Sequence, residues 1–343
     1  MTQGGLEKFV AYLRQNGWPI FGPVFSAEKT EEVSPFLAAH QPKSAHKDGQ
    51  IYIKEIQKAE DLDLSGQLPF YSFKRFFVPE QECLFQYEKE KLDQPEKEQK
   101  AALLGMSILD LKAVNLYDQV FEKDPYYQLR RRNLLIIGYS LTPEIQGNLF
   151  EIEYEENILE HLPFDIFLVK TDKAFKVFTG SIKGQRVLED FGYKDYQHIQ
   201  YSGPVKEGKL EERMERLRDR LKNHPNPQIW EELGKICIEC GKCTLACPTC
   251  FCFRIDDKPA LKEGAGKRTR EWDSCFYQEF SEVAGGHKFL KTTAARILFW
   301  YYHKFARIPD EFDFMGCVGC KRCAKVCPVG INIEEVLKKI ENS

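Results

Sequence analysis

Two runs of cysteines with the same spacing restrict the fold of this chain more than any other feature of its sequence. The runs are CIECGKCTLACP, residues 237–248, and CVGCKRCAKVCP, residues 317–328, and each has the form C-x2-C-x2-C-x3-C-P. Eleven of the twelve cysteines lie between Cys237 and Cys327, and the other is Cys83. The first residues show no export signal, and thiols grouped this closely in a reducing compartment indicate metal rather than disulfides.

The spacing itself favours a pair of [4Fe–4S] clusters over zinc. Three cysteines at two-residue intervals lie on one tight loop and can hold three irons of a cubane, while the fourth cysteine, one helical turn on, faces the other cluster. Zinc sites use pairs of cysteines with longer gaps between the pairs. The sequence therefore predicts crossed ligation, with Cys237, Cys240, Cys243 and Cys327 on a first cluster and Cys317, Cys320, Cys323 and Cys247 on a second.

Three further cysteines, Cys250, Cys252 and Cys275, lie outside this pattern. We interpret them first as buried thiols that pack near the clusters, since free cysteine is among the most buried residue types. A third metal centre is the alternative, because three thiolates and one further ligand satisfy an iron or zinc site. No histidine is placed beside them by the sequence, so we assign them no catalytic role.

Basic residues flank both runs: Lys242 in the first, and Lys321, Arg322 and Lys325 in the second. Cations near a cluster favour its more negative reduced form and so raise its reduction potential. They could also form a rim for a partner protein, or be solvated surface side chains.

The first two thirds of the chain read as a mixed α/β domain. Residues 101–121 begin as a buried strand and turn after Gly105 into a helix with spaced apolar residues; residues 133–140 fill a buried strand; residues 164–181 predict a hairpin. No stretch has the repeated glycines with which a backbone approaches a pyrophosphate.

A composition change near residue 205 predicts a domain boundary. Residues 202–227 are almost all charged or turn-forming, which is typical of a solvated linker helix. The predicted fold class is α+β: a mixed α/β domain over 1–205, a linker helix over 206–227, and a mainly helical ferredoxin-like domain over 228–343. We expect the segment between the runs, residues 248–316, to be helical, with an aromatic-rich helix near 290–306.

Charge and hydropathy exclude two classes of partner. The net charge is −3, so no broad basic surface is available for nucleic acid. The apolar stretches, such as residues 134–141 and 297–302, are too short to span a bilayer. We expect a cytoplasmic protein without a membrane span.

Particular stretches of the C-terminal half resemble a known family. CPTCFCF, REWDSCFYQEFSEVAGGHKF and CVGCKRCAKVCPVGI are similar to the beta subunit of sulfhydrogenase-type [NiFe] hydrogenases, and equally to the A subunit of anaerobic sulfite reductase. The resemblance is specific over 229–332 and weaker over 68–140. It implies a subunit with two [4Fe–4S] clusters whose functional residues are the eight cysteines of the runs. Cys250, Cys252, Cys275 and His287 match family positions without an assigned role.

The resemblance also implies partners. Such a subunit carries electrons in anaerobic metabolism between a flavin subunit that uses NAD(P)H and a catalytic or accepting subunit, as in hydrogenase, sulfite reductase or heterodisulfide-reductase-like complexes. FAD and NAD(P) are then expected on a partner, and this chain is non-catalytic. The alternatives are a self-contained reductase with flavin or a small substrate in the α/β domain, and an iron–sulfur protein with a structural cluster in a nucleic-acid module.

Two departures from the family concern the N-terminal domain. A Gly-x-x-Pro-Cys-Asp stretch of relatives corresponds here to Gly105–Asp110, with Leu109 in the place of the cysteine, and the segment after Gly138 carries none of the expected cysteines. Only Cys83 remains there, and a lone thiol cannot hold a cluster. We therefore expect residues 1–205 to bind no iron and to serve as a docking platform for other subunits.

Overall fold

A computed structural model of the chain describes residues 1–26, 50–89, 91–93, 100–139, 158–172, 174–204, 211–223, 225–312 and 314–343. The strands are β1 Ile20–Ser26, β2 Gln50–Glu55, β3 Gln81–Glu88, β4 Lys91–Asp93, β5 Ala101–Met106, β6 Leu134–Tyr139, β7 Ile166–Lys170, β8 Phe175–Thr179, β9 Gln197–His198, β10 Phe253–Pro259, β11 Ala265–Trp272, β12 Glu282–Val283 and β13 His287–Lys288. The α-helices are α1 Gln3–Gln15, α2 Lys74–Phe77, α3 Ile108–Val120, α4 Pro125–Asn133, α5 Ile182–Asp190, α6 Glu211–Asn223, α7 Pro227–Ile236, α8 Lys242–Ala246, α9 Thr293–Tyr302, α10 Ile308–Phe312, α11 Arg322–Val326 and α12 Ile333–Glu341. The α+β fold class is confirmed.

A seven-stranded sheet organises the N-terminal half, in the order β2-β1-β5-β6-β7-β8-β9. Strands β1, β5, β6 and β7 run parallel, and β7 pairs antiparallel with β8, which confirms the predicted hairpin. Successive side chains of a strand point to opposite faces, so Leu103 and Ile136 enter one core while Ala102 and Leu135 enter the other. Both faces are therefore covered.

Strand β5 leads directly into helix α3, as the sequence predicts. Ser107 caps this helix, its hydroxyl accepting a hydrogen bond from the Asp110 backbone N–H at 3.2 Å. Spaced apolar residues are typical of a helix with one side in solvent, but every residue of α3 from Ile108 to Tyr117 is buried. The helix lies between the sheet and the C-terminal half, so its polar side chains must find partners inside the protein.

A second, four-stranded sheet joins the two halves of the chain in the order β10-β11-β3-β4. Strand β11 pairs antiparallel with β10 on one side and with β3 on the other. The expectation of a helical segment between the cysteine runs is wrong for this hairpin. Here β10 and β11 pair antiparallel from Phe253 opposite Trp272 to Pro259 opposite Gly266.

Helix α6, predicted as a solvated linker, has one buried face. Met214, Leu217 and Leu221 are buried in a core that also contains Trp230 of α7 and Leu337 of α12. The expectation of a solvated helix is wrong for that face, because three apolar residues at helical spacing form a stripe among the charges. The division at 1–205, 206–227 and 228–343 stays a prediction.

The helical part of the C-terminal half packs around the cysteine runs. Helix α9 confirms the predicted aromatic helix, and it continues into a π-helical turn, His303–Arg307, before α10. Short helices α8 and α11, one in each cysteine run, lie against each other. None of the helices in the described ranges has the length and apolar character needed to cross a bilayer.

Buried polar contacts fix the two halves together. Arg322 of α11 and Asp110 of α3 form an ion pair at 2.7 Å in which each side chain is only 2% exposed. The same guanidinium donates to the Pro69 carbonyl at 3.0 Å. Elsewhere Trp272 Nε1 donates to the Val78 carbonyl at 2.9 Å. The N-terminal half is thus part of the wall around the second cysteine run.

Asp110→Ala should destabilise the protein strongly, because it leaves the Arg322 charge buried without its carboxylate. We expect a loss of about 3–5 kcal/mol in the free energy of unfolding, measured by anaerobic urea unfolding of the loaded protein. Asp257→Ala is the matched control, since its carboxylate binds Arg268 at 2.7 Å on the exposed side of β10 and β11. Equal losses in the two variants would contradict the assignment of a structural role to the buried pair.

Candidate metal centre

The two cysteine runs adopt the same backbone conformation. In the first, Glu239 and Gly241 have left-handed φ values of 53° and 70°; in the second, the equivalent Gly319 and Lys321 have 72° and 57°. A non-glycine residue with positive φ is strained, so each loop keeps one such residue where the other has glycine. Backbone strain of this kind persists where the surrounding structure holds the residue in place, and it is common at binding sites. The shared conformation brings the first three cysteines of each run onto one turn.

Each run lines a separate cavity, and its fourth cysteine belongs to the other one. The first cavity is lined by Cys237, Cys240, Cys243 and Cys327, together with Cys323. The second is lined by Cys247, Cys317, Cys320 and Cys323. Helices α8 and α11 carry the chain across, because Cys247 and Cys327 follow their last turns in extended conformation. The four cysteines predicted for each cluster therefore line the same cavity, and their binding of a cluster stays a prediction.

The walls of these cavities suit an iron–sulfur cluster. The first is mostly apolar, and it opens towards Ile238 and Val329, which are exposed. Among the described residues, Trp300 Nε1 and the Tyr301 hydroxyl are buried without a hydrogen-bond partner. Trp300 lines both cavities and Tyr301 lines the first. Unpaired buried donors are costly, and the thiolate and sulfide sulfurs of a cluster are the acceptors that such donors lack.

Backbone amides already point at the cysteine sulfurs. The Gly319 N–H donates to Cys317 Sγ at 3.4 Å, and the Ile331 N–H donates to Cys327 Sγ at 3.2 Å. Hydrogen bonds to the sulfurs stabilise a cluster in its more reduced state. The donor set therefore fits the cofactor that the spacing predicts.

Burial raises the pKa of most thiols of the two sets. It raises the pKa of Cys317 to about 12 and moves the pKa of Cys243 and Cys323 well above the usual range. Thiols must lose their protons to bind iron, so loading the cavities releases protons.

Cys247 differs from these thiols because cations and donors surround its sulfur. The Cys250 thiol, Lys304 and Thr249 hold the pKa of Cys247 well below its usual range, against the effect of burial. The Lys304 ammonium donates to Cys247 Sγ at 3.2 Å, and the Thr249 hydroxyl lies 3.1 Å from the same sulfur. Cys247 is thus prepared to act as a thiolate ligand.

The extra cysteines lie close to the two sets of four. Cys250 and Cys275 are buried in the core of the C-terminal half, Cys250 against Cys247, while Cys252 is half-buried. In the described part of the chain no three His, Cys, Asp or Glu side chains stand close enough to hold a single metal ion. Thiols around a cubane are farther apart than those around one ion, so this finding concerns mononuclear sites. A third centre at these thiols stays an untested alternative to buried thiols that pack near the clusters.

Two other residues singled out by the sequence lie apart from the cavities. His287 is exposed on β13, with its ring edge-on to Phe289. Cys83 lies on β3, its thiol 3.5 Å from the Phe85 carbonyl. The cysteine-free stretch after Gly138 falls outside the described residues from residue 140 on.

Sequence reasoning missed three residues of the site: Asp110, Tyr301 and Lys304. Leu109, at the position where the resemblance led us to expect a cysteine, packs on Val318 beside Cys320, and Asp110 holds the same run through Arg322. Lys304 had a detectable signal, since it stands in the nearly apolar stretch FWYYHKFA. A lysine within an apolar helix face is rarely buried without a specific partner.

Comparison with known proteins agrees with this geometry. Residues 236–331 match the family described as 4Fe-4S dicluster domain. Sulfhydrogenase 2 subunit beta of Pyrococcus furiosus is 28% identical over 305 residues, which cover 84% of this chain and 88% of that subunit. The chain is a homologue of that beta subunit. No solved structure matches.

The homology confirms the resemblance to a sulfhydrogenase beta subunit, which the sequence showed at residues 229–332. The resemblance to the A subunit of anaerobic sulfite reductase stays a prediction. The dicluster domain covers both cysteine runs and the strands and helices between them. The N-terminal sheet lies outside the matched domain, although the 305 aligned residues show that the relationship to the beta subunit extends into it.

Anaerobically purified protein should contain about eight irons and eight sulfides per chain, since each cavity has the thiols of one cubane. Iron and acid-labile sulfide analysis with quantitative amino-acid analysis measures this. About four irons would contradict two loaded centres. About twelve would support a third centre at Cys250, Cys252 and Cys275.

Proposed function

We propose that this chain is the electron-transfer subunit of a cytoplasmic hydrogenase-type complex. It relays single electrons through two [4Fe–4S] clusters between a flavin subunit that uses NAD(P)H and a catalytic or accepting subunit. The observation that carries the proposal is the pair of adjoining cavities, each lined by cysteines drawn from both runs, five in the first cavity and four in the second. Homology to a sulfhydrogenase beta subunit supports a hydrogenase-type complex over a sulfite reductase.

The proposed ligands follow the lining of the cavities. Cys237, Cys240, Cys243 and Cys327 hold the first cluster, and Cys317, Cys320, Cys323 and Cys247 hold the second. Each cluster supplies a one-electron redox couple when bound. The chain itself holds the two centres side by side, because Cys323 and the Trp300 ring line both cavities.

The remaining walls control what reaches the clusters. Ile297, Trp300 and Tyr301 are buried on one side of the first cavity and exclude water from it. On the other side Ile238 and Val329 are exposed, so this centre lies near the surface, where electrons are exchanged with a partner. The second centre lies against α3 and is enclosed by the N-terminal half. In the proposed electron path the first centre is therefore the outer cluster, near the surface, and the second centre is the inner cluster.

The N-terminal half then has a structural role in the proposal. Residues 1–205 bind no iron and position the second centre through Asp110 and the shared sheet, while other surfaces of the large sheet dock neighbouring subunits. FAD and NAD(P) belong to a partner subunit. The alternative is a self-contained reductase with flavin or a small substrate in the α/β domain.

The function is tested in the intact complex with Cys240→Ser in this chain. NAD(P)H should still reduce the flavin of the partner, while electron delivery to the terminal acceptor falls at least tenfold; dye-driven activity of the catalytic subunit, which bypasses this chain, should be unchanged. Cys252→Ser is the matched control and should retain delivery. Oxidation of NAD(P)H by the purified chain alone would favour the self-contained reductase instead.

The crossed ligation is tested separately by Cys247→Ser. Electron paramagnetic resonance of the reduced protein should show loss or change of the signal that Cys320→Ser also alters, because both residues serve the second centre. The signal altered by Cys240→Ser should persist. If Cys247→Ser instead changes the signal assigned by Cys240→Ser, each run binds its own cluster and the crossover is wrong.

A further inference from the structure

Lys304 is a buried ammonium that lies against the second centre. It stands on the π-helical turn that follows α9 and is 2% exposed. Its Nζ donates to Cys247 Sγ at 3.2 Å, to Thr249 Oγ1 at 3.0 Å and to the Gly316 carbonyl at 2.8 Å. Within the described ranges none of these partners is a carboxylate. A buried cation without a counter-ion is costly, so its charge requires a negative group nearby.

The backbone around Lys304 is built to hold it there. Gly316, just before Cys317, donates its N–H to the Lys304 carbonyl at 3.0 Å. A Cβ at Gly316 would lie 2.7 Å from that carbonyl oxygen and 2.8 Å from the Lys304 Cα. Only glycine permits this approach, which joins the start of the second run to the lysine. A π-helical turn inside a helix is also often found at a functional site.

Arg296 and Arg322, two other buried cations near the runs, are neutralised by carboxylates. Arg296, also 2% exposed, pairs with Glu239 in the loop of the first run at 3.2 Å. Arg322 pairs with Asp110 at 2.7 Å. Lys304 has neutral and sulfur acceptors instead. Lys74, also buried, donates to the Thr244 carbonyl at 3.5 Å and lies over the Trp272 ring. The electrostatic surroundings of the two centres therefore differ, with the excess positive charge at the second.

We propose that Lys304 raises the reduction potential of the second centre above that of the first, so that the first electron to enter the chain rests on the inner cluster. The inference rests on the proposed function, since it requires two loaded clusters. Reduction adds one negative charge to a cluster, and a fixed cation close to it stabilises the reduced form more than the oxidised form. Lys304 does not bind iron. It places its positive charge beside the second centre through its hydrogen bond to the Cys247 sulfur.

The test is a redox titration of the full-length, cluster-loaded protein, followed by electron paramagnetic resonance. In Lys304→Met the ratio of reduced to oxidised second centre at a fixed ambient potential should fall about tenfold, equivalent to about 59 mV for a one-electron couple. The first centre should not shift. Lys304→Arg keeps the charge and should retain most of the wild-type potential, which a merely structural role of the side chain does not predict.

Lys321→Met is the matched control. Lys321 lines the same cavity, but it is partly exposed and pairs with Glu334 at 3.0 Å, so removing its charge should leave both potentials nearly unchanged. If Lys304→Met keeps its iron and shifts neither centre, or shifts both equally, the proposal is wrong.

A second measurement covers the case in which Lys304→Met does not assemble. In a titration of the wild-type protein the signal that appears at the higher potential should be the one altered by Cys320→Ser. If Cys240→Ser alters that signal instead, the first centre has the higher potential and the proposal is overturned. Absence of cluster signals and of iron from the wild-type protein would instead overturn the proposed function.

Discussion

The contact between helices α8 and α11 is the constraint on which the rest of the structure depends. Because the fourth cysteine of each run lies across this contact, neither cavity is complete without the other run. The loops before both helices carry left-handed residues at equivalent positions, Glu239 and Gly241 in one and Gly319 and Lys321 in the other. The two halves of the dicluster domain are therefore coupled, and the surrounding helices and sheets hold that coupling in place.

The second constraint on the fold is that buried positive charges need partners inside the protein. Arg296, Lys304 and Arg322 lie in the interior near the thiols, and each has a partner of different chemistry: Glu239, the Cys247 sulfur and Asp110. Two of these pairs are neutral by themselves and serve to fix loops. In the third pair the negative charge is on sulfur, supplied by the Cys247 thiolate and by the cluster that it would bind, since among the described residues the acceptors of Lys304 are two oxygens and this sulfur. Cluster loading and folding of this region are thus expected to depend on each other.

Local features of the fold could be predicted from the sequence, while long-range ones could not. The cysteine spacing, the hairpin of β7 and β8, and the strand and helix that follow residue 101 are encoded by neighbouring residues. The pairing of β3 with β11 joins residues far apart in sequence, so it could not be predicted from the pattern of either strand. The contact of Lys304 with Cys247 also could not be predicted, because only the folded chain brings these residues together. Lys321, by contrast, could be identified from the sequence as a cation beside the second run, but Glu334 neutralises it in the structure.

The interior position of α3 gives Leu109 a structural role beside the second centre. Leu109 packs on Val318 next to Cys320, and its neighbour Asp110 holds Arg322, so this turn of the helix is part of the enclosure of the second centre. An apolar side chain there keeps water from the cluster and lowers the local dielectric. In a low dielectric each remaining charge acts more strongly. With leucine rather than a thiol at this position, the second centre is more sensitive to the Lys304 ammonium, which donates to its proposed ligand Cys247. This is the condition under which a buried lysine can separate the potentials of two clusters with the same ligand set.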